Sequence, residues 1–99
     1  MLKNRINFLN DLINFDKPLQ EISNNIRLLE WDSEIELVFM TEEQLTYVLD
    51  KYRKKHITKI ELIDWANLIE CREDIGFVNN LVQETISDIA NIDISGVKI

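Results

Sequence analysis

TEEQLTYVLDKYRKKHITKIELIDWANLIE, residues 41–70, contains the same helix-opening pattern twice. Thr41 is followed three positions later by a Gln, and Thr58 is followed three positions later by a Glu. In such a capping box, the Thr side chain accepts a hydrogen bond from a backbone N–H in the first turn of the helix. The Gln or Glu side chain in turn accepts one from the Thr N–H. The two boxes therefore predict two consecutive helices.

Apolar residues recur after each box at intervals of three and four residues, which is helical spacing. The first helix should run to about Lys55, and the second to about Glu70 or Arg72. Core packing is favoured for Trp65 over a role as an interface anchor, because it lies inside the apolar stripe. The predicted inner faces are Leu45, Val48, Leu49 and Tyr52 in the first helix, and Leu62, Trp65, Ala66 and Ile69 in the second.

Two more helices are predicted before this pair. One covers residues 2–14, and the next starts at Pro18, a residue that the first turn of a helix tolerates, and runs to about Leu29. Asp16 is a candidate N-cap for the second of them. Their expected inward residues are Ile6, Leu9 and Ile13, flanked by Phe8 and Leu12, and then Leu19, Ile22, Ile26 and Leu29.

A last helix is predicted after a break at Gly76, from Phe77 to about Ile89. Residues 91–99 should form a short irregular tail. The apolar residues expected on the inner face of this helix are Val78, Leu81, Val82, Ile86 and Ile89.

Residues 30–40 fit two patterns. Four apolar residues alternate with acids as in a half-buried strand, whereas Trp31, Ile35 and Val38 also fit a helix. No partner strand is evident, and an isolated strand is not stable. We therefore expect an irregular or partly helical connection that its apolar residues hold against the bundle. The alternating set is Trp31, Ile35, Leu37 and Phe39.

These elements predict an all-α fold, a compact bundle of four to five helices in a single domain that covers residues 1–99. The chain is 45% hydrophobic, which is enough for one small core. It has no run of 18 apolar residues and hence no expected membrane span.

Several features predict a cytoplasmic protein. The first residues, MLKNRINFLNDLINF, carry polar side chains through their apolar face and offer no small-residue cleavage site, unlike a secretory signal. Cys71 is the single cysteine, so it cannot form an internal disulfide, which fits a reducing compartment.

The net charge of −7 is distributed unevenly along the chain. Residues 30–50 hold seven acids and no base, whereas residues 51–59 hold five bases and no acid. Helix dipoles account for part of this alternation, because Glu42 and Glu43 open a helix and the bases close it. They do not account for the four acids at Glu30, Asp32, Glu34 and Glu36.

The excess of acid disfavours nucleic acid and anionic membranes as partners, since both require a basic surface. It favours a basic protein partner, with a merely solvated acidic face as the alternative. Aromatic and aliphatic residues lie among the acids of residues 30–43. An acidic surface with such anchors suits the binding of a basic active site, because charge steers association. For Trp31, core packing and interface contact are equally favoured.

No pattern of residues indicates catalysis, a metal or a cofactor. A zinc site requires several clustered ligands, and the chain has one His and one Cys, His56 and Cys71. Cys71 is interpreted as a structural thiol and His56 as a helix-end residue. Gly76 and Gly96 are the only glycines, so a phosphate-binding glycine loop is not expected. We expect no cofactor.

The segments LLEWDSEIELVFMTEEQLTYVLDKY, residues 28–52, and IELIDWANLIECREDIGF, residues 60–77, resemble a family of small bacterial proteins. These are the all-helical immunity proteins encoded beside polymorphic toxins, such as those of contact-dependent growth inhibition systems. The resemblance covers roughly residues 28–90. Its most specific part is Trp65-Ala66-Asn67, Glu70 and Arg72-Glu73-Asp74-Ile75.

This resemblance implies a non-enzymatic inhibitor that binds and neutralises a cognate toxin, with a basic nuclease as the expected class. Arg72 and Glu70 are interpreted as structural, and Asn67 could bond an adjacent loop. The alternatives are an adaptor or regulatory protein that binds a basic partner through the same surface, and a small enzyme centred on Cys71 or His56. The predicted partner-binding residues are Trp31, Asp32, Glu34, Glu36, Glu42 and Glu43, with Glu73 and Asp74 as a second patch.

Overall fold

Both capping boxes are present in the computed structural model, which describes residues 2–29 and 36–92. The Thr41 hydroxyl accepts from the Gln44 backbone N–H at 3.1 Å, and the Gln44 side chain accepts from the Thr41 N–H at 2.9 Å. Thr58 and Glu61 form the same reciprocal pair at 3.1 and 2.8 Å. The two central helices therefore begin where the sequence predicts.

The described residues form five helices and two short strands, which confirms the predicted all-α class. In chain order the elements are α1 (Leu2–Asn14), α2 (Leu19–Arg27), β1 (Val38–Met40), α3 (Glu42–Arg53), α4 (Lys59–Glu70), β2 (Ile75–Phe77) and α5 (Asn80–Ala90). Among the described elements, α4 and α5 make the most extensive contact with each other. None of the helices that the structure describes is both long and apolar enough to cross a membrane.

The predicted inner faces supply most of the core. Trp65 is fully buried, which confirms its interpretation as a core residue. Its indole N–H donates to the Leu12 carbonyl at 2.6 Å, and its ring stacks on Phe15 at 6.3 Å between centroids. This tryptophan therefore ties α4 to the end of α1. The largest fully buried side chains besides Trp65 include Leu9, Leu12, Ile13, Ile22, Met40, Val48, Ile69, Val82 and Ile86.

Two predictions of helix starts are wrong. Pro18, not Asp16, precedes the first residue of α2, and no side chain caps that helix. The Asp16 backbone N–H instead closes α1 by donating to the Asp11 carbonyl. The last helix begins later than predicted, because the Asn79 side chain caps it by accepting from the Val82 N–H.

Three side chains predicted to face inward are exposed. Tyr52 is 37% exposed, since it lies one turn beyond the part of α3 that contacts the core. Val78 precedes α5, and Leu81 lies beside the stripe of Val82, Ile86 and Ile89 that is buried; both are exposed. The helical spacing therefore identified the correct inward-facing side of these helices but assigned too many residues to it.

The prediction for the end of the 30–40 segment is wrong, since Val38–Met40 is a strand. It pairs in parallel with Ile75–Phe77, so Gly76 lies in a strand and not in a break. The phase of the alternation is also reversed, because Val38 and Met40 are buried and Phe39 is half exposed. Each strand has only three residues, and the two are separated by α3 and α4, so neither reveals the other in the sequence.

Candidate partner-binding surface

The candidate surface lies on the outer face of the two-stranded sheet. Phe39 pairs with Gly76 in the register, and 50% of the Phe39 side chain is exposed. A Cβ built on Gly76 would lie 2.7 Å from Phe39 Cε2 and 2.8 Å from Glu36 Cδ. The aromatic ring and the carboxylate thus both lie over the glycine, where a side chain would displace them.

A groove of about 350 Å³ extends this surface toward the end of α4. Three exposed glutamates line it: Glu36 before β1, Glu70 at the end of α4, and Glu73 in the loop before β2. The other lining residues are Arg72, Ile75, Phe77 and Gln83. We call Phe39 and these three glutamates the acidic sheet surface.

Glu42 and Glu43 extend the acidic charge beyond the other end of β1. Both are exposed in the first turn of α3, two and three residues after the strand ends. A Glu42 carboxylate oxygen accepts from the Asn79 side-chain amide at 2.6 Å, which links the start of α3 to the start of α5. The sheet thus has acids before and after its exposed aromatic residue.

Asp74, predicted as part of a second patch, is instead an internal residue. It is fully buried, and its carboxylate accepts from Arg5 at 2.8 Å and from Arg72 at 3.1 and 2.9 Å. This cluster ties α1 to the loop before β2. It confirms the structural interpretation of Arg72 and leaves only Glu73 of that patch on the surface.

The charge state of Asp74 follows from these contacts. Burial alone raises the pKa of a carboxyl group, because it disfavours the charged form. Here the hydrogen bonds and charge of Arg72, and then the hydrogen bond from Arg5, outweigh burial and hold the pKa of Asp74 below its ordinary value. Asp74 is therefore a carboxylate at neutral pH.

Three of the predicted partner-binding residues, Trp31, Asp32 and Glu34, lie outside the described residues, as does Glu30. Glu36 lies directly beside Phe39, and Glu42, Glu43 and Glu73 are exposed.

Sequence reasoning missed Phe39 as a surface residue and Gly76 as the buried glycine beneath its ring, and it interpreted Glu70 as structural. A small residue inside the run Ile75–Phe77 was the available signal for Gly76, because glycine in a strand marks a close approach by another group.

The remaining sequence candidates lie elsewhere. Asn67 donates to the Ile63 carbonyl of its own helix at 3.1 Å, not to a neighbouring loop. Cys71 is exposed at a groove of about 500 Å³ between α2 and α4, and His56 does not line that groove. Across residues 2–29 and 36–92, no group of three or more His, Cys, Asp or Glu side chains is placed to hold a metal ion.

Comparison of the chain with known protein families, curated proteins and solved structures gives no match.

Proposed function

We propose that the protein is a cytoplasmic immunity protein that binds a basic protein toxin, with a nuclease as the favoured class, and neutralises it by covering its active cleft. The observation that carries the proposal is the acidic sheet surface: the exposed Phe39 ring lies beside Glu36 over Gly76, and Glu36, Glu70 and Glu73 line one groove. The resemblance of residues 28–90 to immunity proteins supports the toxin as the partner.

The combination of charge and aromatic surface suits a protein partner. Aromatic side chains are enriched among interface residues that contribute most to binding, and a surrounding polar rim excludes water. The carboxylates would pair with Lys and Arg side chains that a nuclease uses to hold phosphates. An occupied cleft could then no longer bind RNA or DNA.

Glu70 lacks a local reason for its charge. It is the last residue of α4, where the carbonyl ends of the helix make negative charge unfavourable. In the described part of the chain its carboxylate makes no ion pair or hydrogen bond. A carboxylate that opposes its own helix is expected where a partner supplies the compensating charge.

The alternative proposal is an adaptor that uses the same surface on basic partners without inhibiting a toxin. An immunity protein is expected to bind a single partner at nanomolar Kd or tighter, whereas an adaptor would bind several partners more weakly. Capture from the source cells at low and moderate salt, followed by mass spectrometry, separates these cases. A single basic partner retained at moderate salt, which kills cells that lack this protein, supports immunity.

The surface itself is tested with two matched triple variants. Glu36→Gln, Glu70→Gln and Glu73→Gln remove three charges from the acidic sheet surface. Three exposed acids elsewhere provide the control with the same change in net charge, Asp16→Asn, Glu84→Gln and Asp88→Asn.

We expect the first triple variant to weaken binding of the captured partner by about tenfold or more, because the lost pairs are specific. The control should weaken it only slightly. Equal effects from both variants would show that only overall charge matters and would overturn this surface as the binding site.

A further inference from the structure

A third groove, of about 490 Å³, lies where α3 ends and α4 begins, and its charge is opposite to that of the acidic sheet surface. Its lining contains three cationic side chains and no carboxylate. The lining residues are Tyr52, Arg53, Lys55, Ile57, Thr58 and Lys59. This volume lies within the range of small-ligand sites, roughly 300–1,000 Å³.

Lys55 occupies a backbone conformation that disfavours a lysine. Its φ is 65°, in the left-handed region, where it ends α3 in the position usually taken by glycine. Phe15 has a similar φ of 52° at the end of α1, but its ring is buried against Trp65, so core packing offsets the strain. Lys55 is exposed and has no such compensation within the described residues.

Lys59 also has an unfavourable position. It is the first residue of α4, where the helix dipole is positive and disfavours a cation. In the part of the chain that the structure describes, neither Lys55 nor Lys59 forms an ion pair. Arg53 pairs with Asp50 at 3.2 Å, but both side chains are largely exposed and Asp50 does not line the groove.

We propose that this groove binds a small phosphate-bearing molecule, such as a nucleoside polyphosphate. The phosphates pair with Lys55, Lys59 and Arg53, and the exposed face of Tyr52 stacks on the base. Cations cluster around phosphates in this way because charge-assisted hydrogen bonds are strong. A small anion fits better than a long nucleic acid, because the net charge of −7 repels a polyanion that extends beyond the groove.

The test is a titration of ¹⁵N-labelled protein with adenosine triphosphate and, separately, with inorganic tripolyphosphate, followed by amide chemical shifts. We expect saturable shifts at millimolar concentrations or below, confined to residues 52–60. Adenosine triphosphate should bind more tightly than tripolyphosphate because only the nucleotide can stack on Tyr52. Two further probes, a short DNA duplex and a polyglutamate peptide, test whether the groove binds a macromolecule instead.

Three variants assign the site. Lys55→Gly should weaken binding about tenfold, because it removes a charge-assisted contact, and should raise the midpoint of thermal unfolding because it relieves the backbone. Lys55→Arg keeps the charge and should retain binding. Arg27→Gln removes an exposed cation from the end of α2, with the same change in net charge, and should leave binding unchanged.

Binding that is lost in a more stable Lys55→Gly protein cannot be attributed to unfolding. The proposal would be overturned if neither adenosine triphosphate nor tripolyphosphate gave saturable shifts. An equal loss in Arg27→Gln would overturn it too, since it would indicate non-specific attraction. Tighter binding of duplex DNA or polyglutamate at the same residues would also overturn it in favour of a macromolecular partner.

Discussion

Glu73 and Asp74 are adjacent acids that end up in opposite environments. Asp74 is fully buried and bonded to two arginines, whereas Glu73 is exposed at the rim of an acidic groove. The buried carboxylate holds the fold together, and the exposed one is available to a partner. The role of an acidic residue in this chain is therefore not evident from the sequence until the arginines that neutralise it are located.

The largest expected difference between the two residues is in stability. Asp74→Ala leaves Arg5 and Arg72 without their shared carboxylate, and the side chains of both arginines are mostly buried. Removing one member of a buried ionic cluster costs about 3–5 kcal/mol. We expect a decrease of that size in the free energy of unfolding, measured with urea. Glu73→Gln, the control at the neighbouring residue, should change the free energy of unfolding by less than about 0.5 kcal/mol.

Two outcomes would break this contrast. A loss below about 1 kcal/mol for Asp74→Ala would show that water compensates the arginines and that the cluster is not structurally important. If Asp74→Ala does not fold, Asp74→Asn keeps the shape and part of the hydrogen bonding, and its unfolding can be compared with that of Glu73→Gln in the same way.

The second prediction concerns pH. Because the pKa of Asp74 is lowered in the folded protein, its carboxylate stabilises the fold fully above the unfolded pKa of about 3.9. This contribution is lost as the pH falls through the folded pKa. The difference in unfolding free energy between the natural protein and Asp74→Asn should therefore be largest near neutral pH and shrink in acid. Other carboxylates titrate in both proteins and cancel. A difference that stays constant with pH would show that the charge of Asp74 is not what stabilises the fold.

The third prediction separates the surface from the fold. Gly76→Ala places a methyl group within 2.8 Å of the edge of the Phe39 ring and of the Glu36 carboxyl carbon, and both of these side chains are exposed. They can rotate away, so stability should change by no more than about 1 kcal/mol. Affinity for the captured partner should fall about tenfold, because the ring and carboxylate are displaced.

Phe39→Ala gives the reference for this prediction, since it removes the ring directly. We expect its effect on affinity to equal or exceed that of Gly76→Ala. Calorimetric titration measures both affinities, and thermal unfolding checks that both proteins fold. Unchanged affinity in both variants would remove the sheet from the proposed interface.

The sequence predicted the parts of the fold that depend on local rules. The Thr41 and Thr58 boxes each involve residues only three apart, and the inner faces repeat within single helices, so no distant contact is needed to recognise them. The all-α class and the burial of Trp65 follow from these patterns.

The strand pair and the role of Asp74 could not be predicted, because both depend on distant residues. Val38 and Ile75 are brought together only after α3 and α4 pack, and Arg5 reaches Asp74 from α1. The candidate surface likewise could be predicted only in part, because it also depends on distant residues. Its acids were recognised as unusual, but the aromatic residue among them, Phe39, is assigned to the outer face only once the sheet has a partner strand.

The smallest expected effect concerns Glu70, the third acid of the groove. Because it closes α4 with a negative charge, Glu70→Gln should stabilise the fold by about 0.3–0.5 kcal/mol. The same change should weaken binding of a basic partner. Glu73→Gln is the matched control, since it removes a groove charge that lies outside any helix and should weaken binding without stabilising the fold. Urea unfolding at low ionic strength, where dipole effects are least screened, measures the gain. A loss of stability in Glu70→Gln would mean that the carboxylate has an internal partner after all, and its charge would then be explained by the fold instead of by binding.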